Sequence, residues 1–265
     1  LVSHIPERMR YMRPMSVENT DRLRLDQALV DRGLAPTRSQ ARDLVKRGCV
    51  RVSGQPAGKP GQVVAMSDSI EVEPGAQPYV SRGGLKLSAA LDAFGFDAAG
   101  CVALDVGAST GGFTHVLLER GARRVFAVDV GHGQLHGAIA ADPRVTSLEG
   151  VDARSLDRGV IDEAPGAIVA DVSFVSLTKA LEAAIGLAAP RAWLVALIKP
   201  QFEVGREAIG KGGIVRDDAA RDAAIENVRD WLSQRPGWRV VGLLPSPIAG
   251  GSGNLEMLIG ACRDD

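Results

Sequence analysis

Four charged residues stand where the surrounding sequence is apolar or tightly turned: Lys86 in "SRGGLKLSAAL", Asp171 in "VADVSF", Lys199 in "ALIKPQFE" and Glu256 in "GNLEML". Two amines and two carboxylates brought together can orient a weakly acidic hydroxyl and manage its proton. A lysine amine with a pKa of about 10.4 is mostly protonated at neutral pH. Partial burial and a second cation favour the neutral form, whereas adjacent carboxylates oppose it. Without such chemistry the same four residues would be a buried ion-pair cluster, which is at best neutral for stability.

The elements that must position them follow from hydropathy. After residue 80, helix-like and strand-like runs alternate: "SRGGLKLSAALDAFG" is helical, "VALDVGA" is strand-like, and the alternation continues to "DDAARDAAIENVRDWLSQR". The last two apolar runs, "WRVVGLLPSP" and "NLEMLIGACR", have no helix between them. This pattern predicts a doubly wound α/β domain over residues 81–265, with a mostly parallel sheet and an antiparallel hairpin at one edge. Asp171 and Lys199 then finish strands at one sheet edge, Glu256 starts the last strand, and Lys86 lies on the helix that enters the domain.

The first strand of that domain runs into "LDVGASTGGFT". Its spacing, G-x-x-x-G-G, differs from the G-x-G-x-x-G expected around a dinucleotide pyrophosphate, and no G-x-x-x-x-G-K-[ST] is present for ATP. Asp129 ends the next strand, 24 residues after Asp105, where a carboxylate can accept hydrogen bonds from ribose hydroxyls. Asp152 follows at the third strand end, placed for an adenine amino group. Three acids and no phosphate cradle suit S-adenosylmethionine (SAM) better than NAD. The candidate cofactor contacts are Asp105, Gly107, Ser109, Gly111, Gly112, Phe113, Asp129 and Asp152. Methyl transfer from a sulfonium needs the attacking atom in line and, for a hydroxyl, a group to take its proton. Lys199 is the candidate for that role, with Asp171, Lys86 and Glu256 setting its position and charge.

The 265 residues are 45% apolar and 24% charged, as in soluble globular proteins, and the formal net charge is only −1. Residues 22–73 nevertheless hold nine Lys/Arg against six Asp/Glu. Apolar spacing there predicts two short amphipathic helices followed by strands around a Gly/Pro turn, with Thr37 or Ser39 capping the second helix. Arg38, Arg42, Lys46 and Arg47 form a basic helix face, and Arg22 and Arg24 precede the first helix; all six are candidate phosphate contacts. Residues 74–80, "PGAQPYV", read as a linker, and residues 1–21 as a disordered lead-in, with Met15 a possible native start. Cys49, Cys101 and Cys262 lack metal-ligand spacing, so neither a metal site nor a disulfide framework is expected. No apolar run is long enough to span a membrane, and the expected location is the cytoplasm.

The run "RLDQALV", "TRSQA" and "LVKRGCVRVSG" resembles the alpha-L RNA-binding domain of small-subunit ribosomal proteins and pseudouridine synthases. The order Lys86, Asp171, Lys199, Glu256 resembles the K-D-K-E tetrad of FtsJ-like ribose 2'-O-methyltransferases. "DVSF" departs from the Pro-Pro-Tyr pattern of amino-group methyltransferases. With "VSRGGLKL", "DVGASTGGFT", "ADVSFVSL", "IKPQFEVG" and "SGNLEM" in order, the chain is similar to the TlyA (hemolysin A-like) rRNA methyltransferase family. That resemblance implies SAM-dependent 2'-O-methylation of cytidine in ribosomal RNA, with rRNA or a ribosomal subunit as partner. Because the sequence stops at "ACRDD", the large-subunit RNA is the expected substrate. A ribosome assembly factor that binds RNA and SAM without catalysis is the alternative. A membrane-lytic protein is disfavoured, since no strongly amphipathic apolar helix is present. "EVGREAIGKGGIVRD" and "SPIAGGSGN" are candidate loops over the site.

Overall fold

A computed structural model describes residues 22–35, 38–73, 79–250 and 253–264, and the side chains of Ser39 and Arg206 are left aside. The expected lead-in, the proposed cap Thr37 and most of the expected linker lie outside the described residues. The chain divides into two compact units between residues 76 and 77.

In the first unit, β1 (Arg22–Arg24) runs directly into α1 (Leu25–Asp31), and α2 (Arg38–Lys46) follows. Four short strands complete it: β2 (Val50–Val52), β3 (Gln55–Pro56), β4 (Val63–Ala65) and β5 (Ile70–Val72). β1 pairs antiparallel with β4, while β2 lies between β3 and β5. The helical spacing of Leu25, Ala28 and Leu29 against Ala41, Leu44 and Val45 turns both apolar stripes into one small core with Val50 and Val64.

The second unit opens with α3 (Gly83–Phe94), which Gly95 ends in a left-handed conformation. The parallel strands are β6 (Val102–Val106), β7 (Arg124–Asp129), β8 (Val145–Glu149), β9 (Ala167–Ala170) and β10 (Trp193–Ile198). Between them lie α4 (Gly112–Glu119), α5 (Gly137–Ala140), and α6 (Leu177–Leu187). A one-turn helix, α7 (Pro200–Glu203), follows β10 and precedes α8 (Asp218–Ser233), β11 (Trp238–Pro245) and β12 (Met257–Arg263).

Among the described residues, the sheet order is β11-β12-β10-β9-β6-β7-β8, with β12 antiparallel to both of its neighbours. The expected doubly wound sheet and its antiparallel edge are therefore present. Every residue of β6, β9 and β10 is buried, because helices cover both faces. Val102, Leu104 and Val106 face the layer that includes α6 and α8, whereas Ala103 faces the α3 and α4 layer. β6 and β9 run parallel, but the strand order reverses between them, with β7 and β8 laid to one side of β6 and β9 and β10 to the other; the crevice beyond the carboxyl ends at such a switch point is where doubly wound sheets bind ligands. Two expected boundaries shift. β8 ends at Glu149, so Asp152 lies beyond it as the cap of a short 3-10 turn; Glu256 precedes β12 rather than opening it.

Candidate active site

A cavity of about 550 Å³ opens beyond the carboxyl ends of the strands, lined in part by Gly107, Ser109, Asp129, Asp152 and Asp171. A smaller one of about 260 Å³ is lined by Lys86, Gly112, Phe113, Asp171 and Lys199, among others. The two share Gly107, Ser109, Asp171 and Ser173 as walls.

The glycine turn explains how the larger cavity stays open. Gly107 has φ +84, and a Cβ there would stand 2.7 Å from the Asp171 carbonyl oxygen, so the β6 turn and the end of β9 touch backbone to backbone. Gly111 has φ +92 and starts α4, but it lines neither cavity; a Cβ there would meet Leu135. Its service is to the turn. Asp129 accepts from the Ser109 N–H and the Gly131 N–H, each at 2.8 Å, which fixes the carboxylate at the cavity wall. Asp152 accepts from the Arg154 backbone N–H and also from its guanidinium, which holds this carboxyl down at about 2.

Asp105 corrects its expected role as a cofactor contact. It has no accessible surface and lines neither cavity. Strand alternation turns it to the α4 side, where the Thr114 hydroxyl donates to its Oδ2 at 2.6 Å. Burial pushes its carboxyl up to about 7; the Thr114 hydrogen bond opposes that rise and the Asp171 charge adds to it. It supports the turn from beneath.

The expected tetrad forms two ion pairs. Lys86 Nζ meets Glu256 Oε2 at 2.5 Å, with both side chains buried, and Glu256 reaches the smaller cavity only through Lys86. Lys199 Nζ stands 2.7 Å from Asp171 Oδ1 and donates to Ser173 Oγ at 2.9 Å. The backbone explains the placement: Lys199 leaves β10 extended, and Pro200 at the start of α7 has no N–H to satisfy. α7 is then anchored by Glu203, which accepts from the Leu177 N–H and the Ser176 hydroxyl and so caps α6 from outside.

Several residues of the site were not foreseen. Phe174 lines the larger cavity with 92% of its surface exposed, at φ +66, and its ring lies 5.1 Å from that of Phe202. Such a backbone in a bulky residue is strained and cannot be read from residue type. Asn254 is buried and ties down the "GKGGIVRD" loop, accepting from the Val215 N–H and donating to the Gly213 carbonyl. Residues 251 and 252 of the other expected loop lie outside the described residues.

In the first unit, Arg22 and Lys46 are exposed, and Arg47 lies just past α2, paired with Asp43. Arg24, Arg38 and Arg42 instead converge on Asp26. Sequence reasoning missed this acid because an Asp in a first helical turn is ordinary. Among the described residues no group of three or more His, Cys, Asp or Glu could hold a metal, and no helix is long and apolar enough to cross a membrane.

Comparison with known proteins supplies independent findings. Residues 79–263 match the FtsJ-like methyltransferase family, and residues 23–70 match the S4 domain. The chain is 46% identical over 239 residues to a 16S/23S rRNA (cytidine-2'-O)-methyltransferase TlyA of Mycobacterium tuberculosis, covering 90% of this chain and 89% of that one. It is 40% identical to Hemolysin A of Brachyspira hyodysenteriae, covering 89% and 98% respectively. A solved structure named as a hemolysin from Streptococcus thermophilus superposes with a TM-score of 0.71 at 38% identity, covering 92% of this chain and 90% of that one.

Proposed function

This chain belongs to the FtsJ-like methyltransferase family, as a relative of the TlyA rRNA methyltransferases, and from that premise we propose that it methylates cytidine 2'-hydroxyls in ribosomal RNA. The observation that carries the reading is the meeting of Lys86, Asp171 and Lys199 in one cavity that shares walls with a larger acidic one.

Family membership implies SAM as the methyl donor, and the larger cavity fits it in size and in its carboxylates. When bound, SAM supplies a methyl group made electrophilic by its sulfonium. The chain's own residues do the rest. Asp129 keeps acceptor capacity for ribose hydroxyls beyond its two backbone N–H partners. Asp152 accepts the adenine amino group by sharing its oxygens with Arg154. Gly107 brings bare backbone to the cofactor and Ser109 its hydroxyl, and Gly112 and Phe113 close the wall on the Lys86 side.

On the substrate side, Lys199, held by Asp171 and Ser173, keeps the RNA hydroxyl in line with the methyl group and takes or steers its proton. Lys86, neutralised by Glu256, fixes the charge balance beside it. The open face of Phe174 suits stacking on an RNA base. The S4 unit, through Arg22, Arg24, Arg38, Arg42, Lys46 and Arg47, grips phosphates.

The test supplies SAM labelled in its methyl group together with each ribosomal subunit and with stripped rRNA, followed by nuclease digestion. Both subunits are assayed because the mycobacterial relative's name gives both 16S and 23S RNA. Label in 2'-O-methylcytidine of 23S RNA, 16S RNA or both is the expected result. Label on a base atom contradicts the proposal. No label in any assembly state favours an assembly factor.

A further inference from the structure

Asp26 sits in the first turn of α1 with no accessible surface, yet three guanidiniums reach it, one from the end of β1 and two from α2. Arg24, at the end of β1, donates through Nε at 3.0 Å and Nη2 at 3.1 Å. Arg42 donates through Nε at 2.8 Å and Arg38 through Nη2 at 3.2 Å, both to Oδ2. Arg38 and Arg42 are one helical turn apart, so both lie on the α2 face turned to Asp26. About half of each arginine side chain remains open to solvent: 51% for Arg24, 46% for Arg38 and 50% for Arg42. Gly61 makes room for the first of these, since a Cβ there would stand 3.0 Å from Arg24 Nη2.

The charge count is the informative feature. One guanidinium neutralises one buried carboxylate, and bringing two more like charges to the same point costs repulsion. The cluster therefore carries an excess of two positive charges on a half-exposed surface whose shape the carboxylate dictates. Guanidinium forks held in fixed directions match phosphate oxygens, and little side-chain freedom is left to lose on binding.

We propose that Asp26 is a positioning residue for RNA: its buried carboxylate holds Arg24, Arg38 and Arg42 together as one preformed phosphate-binding surface. The inference rests on the reading that the S4 unit binds RNA. It has a counter-intuitive sign. Removing a negative charge near RNA should tighten binding by simple electrostatics, whereas loss of the clamp should weaken it.

The experiment measures binding of a ribosomal RNA transcript to the full chain at several salt concentrations, comparing wild type with Asp26→Asn, alongside thermal unfolding and SAM affinity. The expected result for the variant is RNA binding weakened about tenfold and a salt dependence shallower by about one counterion per lost phosphate contact, with SAM affinity unchanged. KM for RNA rises accordingly, while kcat changes less than twofold. In a background of Arg24→Gln, Arg38→Gln and Arg42→Gln, Asp26→Asn then makes no further difference to RNA affinity, which a merely structural role would not explain.

Equal or tighter RNA binding by Asp26→Asn overturns the inference alone. A wild-type chain that binds no RNA overturns it together with the reading beneath it. Should Asp26→Asn fail to fold, Arg38→Lys with Arg42→Lys keeps both charges while removing the planar forks. Binding weakened severalfold supports the clamp, and unchanged binding overturns it.

Discussion

At the scale of single residues, the site is built from charges that are stable only in company. Lys86 and Glu256 are both nearly inaccessible, so deleting one partner leaves the other buried without a counter-charge. Glu256→Ala should cost about 3–5 kcal/mol of stability in urea unfolding, and Lys86→Met with Glu256→Leu should recover most of it. An equal loss in single and double variants would contradict the pairing. Asp105 makes a different prediction. Its carboxyl rises from 3.8 to about 7 in the folded chain, so the folded state holds a proton that the unfolded chain has released. The stability from this group is fully present below about pH 4 and is lost as pH rises to about 7. Asp105→Asn keeps an acceptor for Thr114 and should remove that component of the pH dependence. Identical slopes for variant and wild type between pH 4 and 8 would count against it.

At the scale of elements, the β6 turn and the end of β9 are one unit joined at Gly107. Gly107→Ala forces a side chain into a left-handed backbone, costing about 1–2 kcal/mol before any displacement of Asp171. SAM affinity should fall at least tenfold by calorimetry; unchanged affinity would mean that the turn does not set the pocket. Much of this arrangement was legible in the sequence. Apolar alternation announced the doubly wound sheet, and a lysine ending "WLVALI" is conspicuous because charge seldom enters such a run. Other parts were not. Asp105 and Asp129 both end apolar runs and share one face of the sheet, but Asp105 pairs with Ala127 inside the sheet, whereas Asp129 is the last residue of β7 and reaches the cavity, a difference of register that the sequence does not display. The Asp26 cluster joins residues 24, 26, 38 and 42 through tertiary packing, which residue spacing does not encode. Phe174 acquires its exposure from a backbone conformation that its residue type disfavours.

At the scale of the whole molecule, the chain has two compact units, and the proposed function assigns RNA binding to the first and chemistry to the second. The basic surface of the first should make RNA affinity fall steeply with salt, while SAM affinity in the second should stay nearly flat over the same range. Parallel titrations at roughly 50 to 200 mM salt check this; equal salt slopes would contradict the division. The central claim is that the cavity lined by Lys86, Asp171 and Lys199, with Glu256 behind Lys86, methylates a ribose of ribosomal RNA. Its most direct test is a nucleotide-resolution map of 2'-O-methylation on rRNA from cells carrying the wild-type chain, Lys199→Ala, or neither. The account predicts a methylated cytidine with the wild type alone, while purified Lys199→Ala still folds and binds SAM. A map that is the same in all three would contradict it.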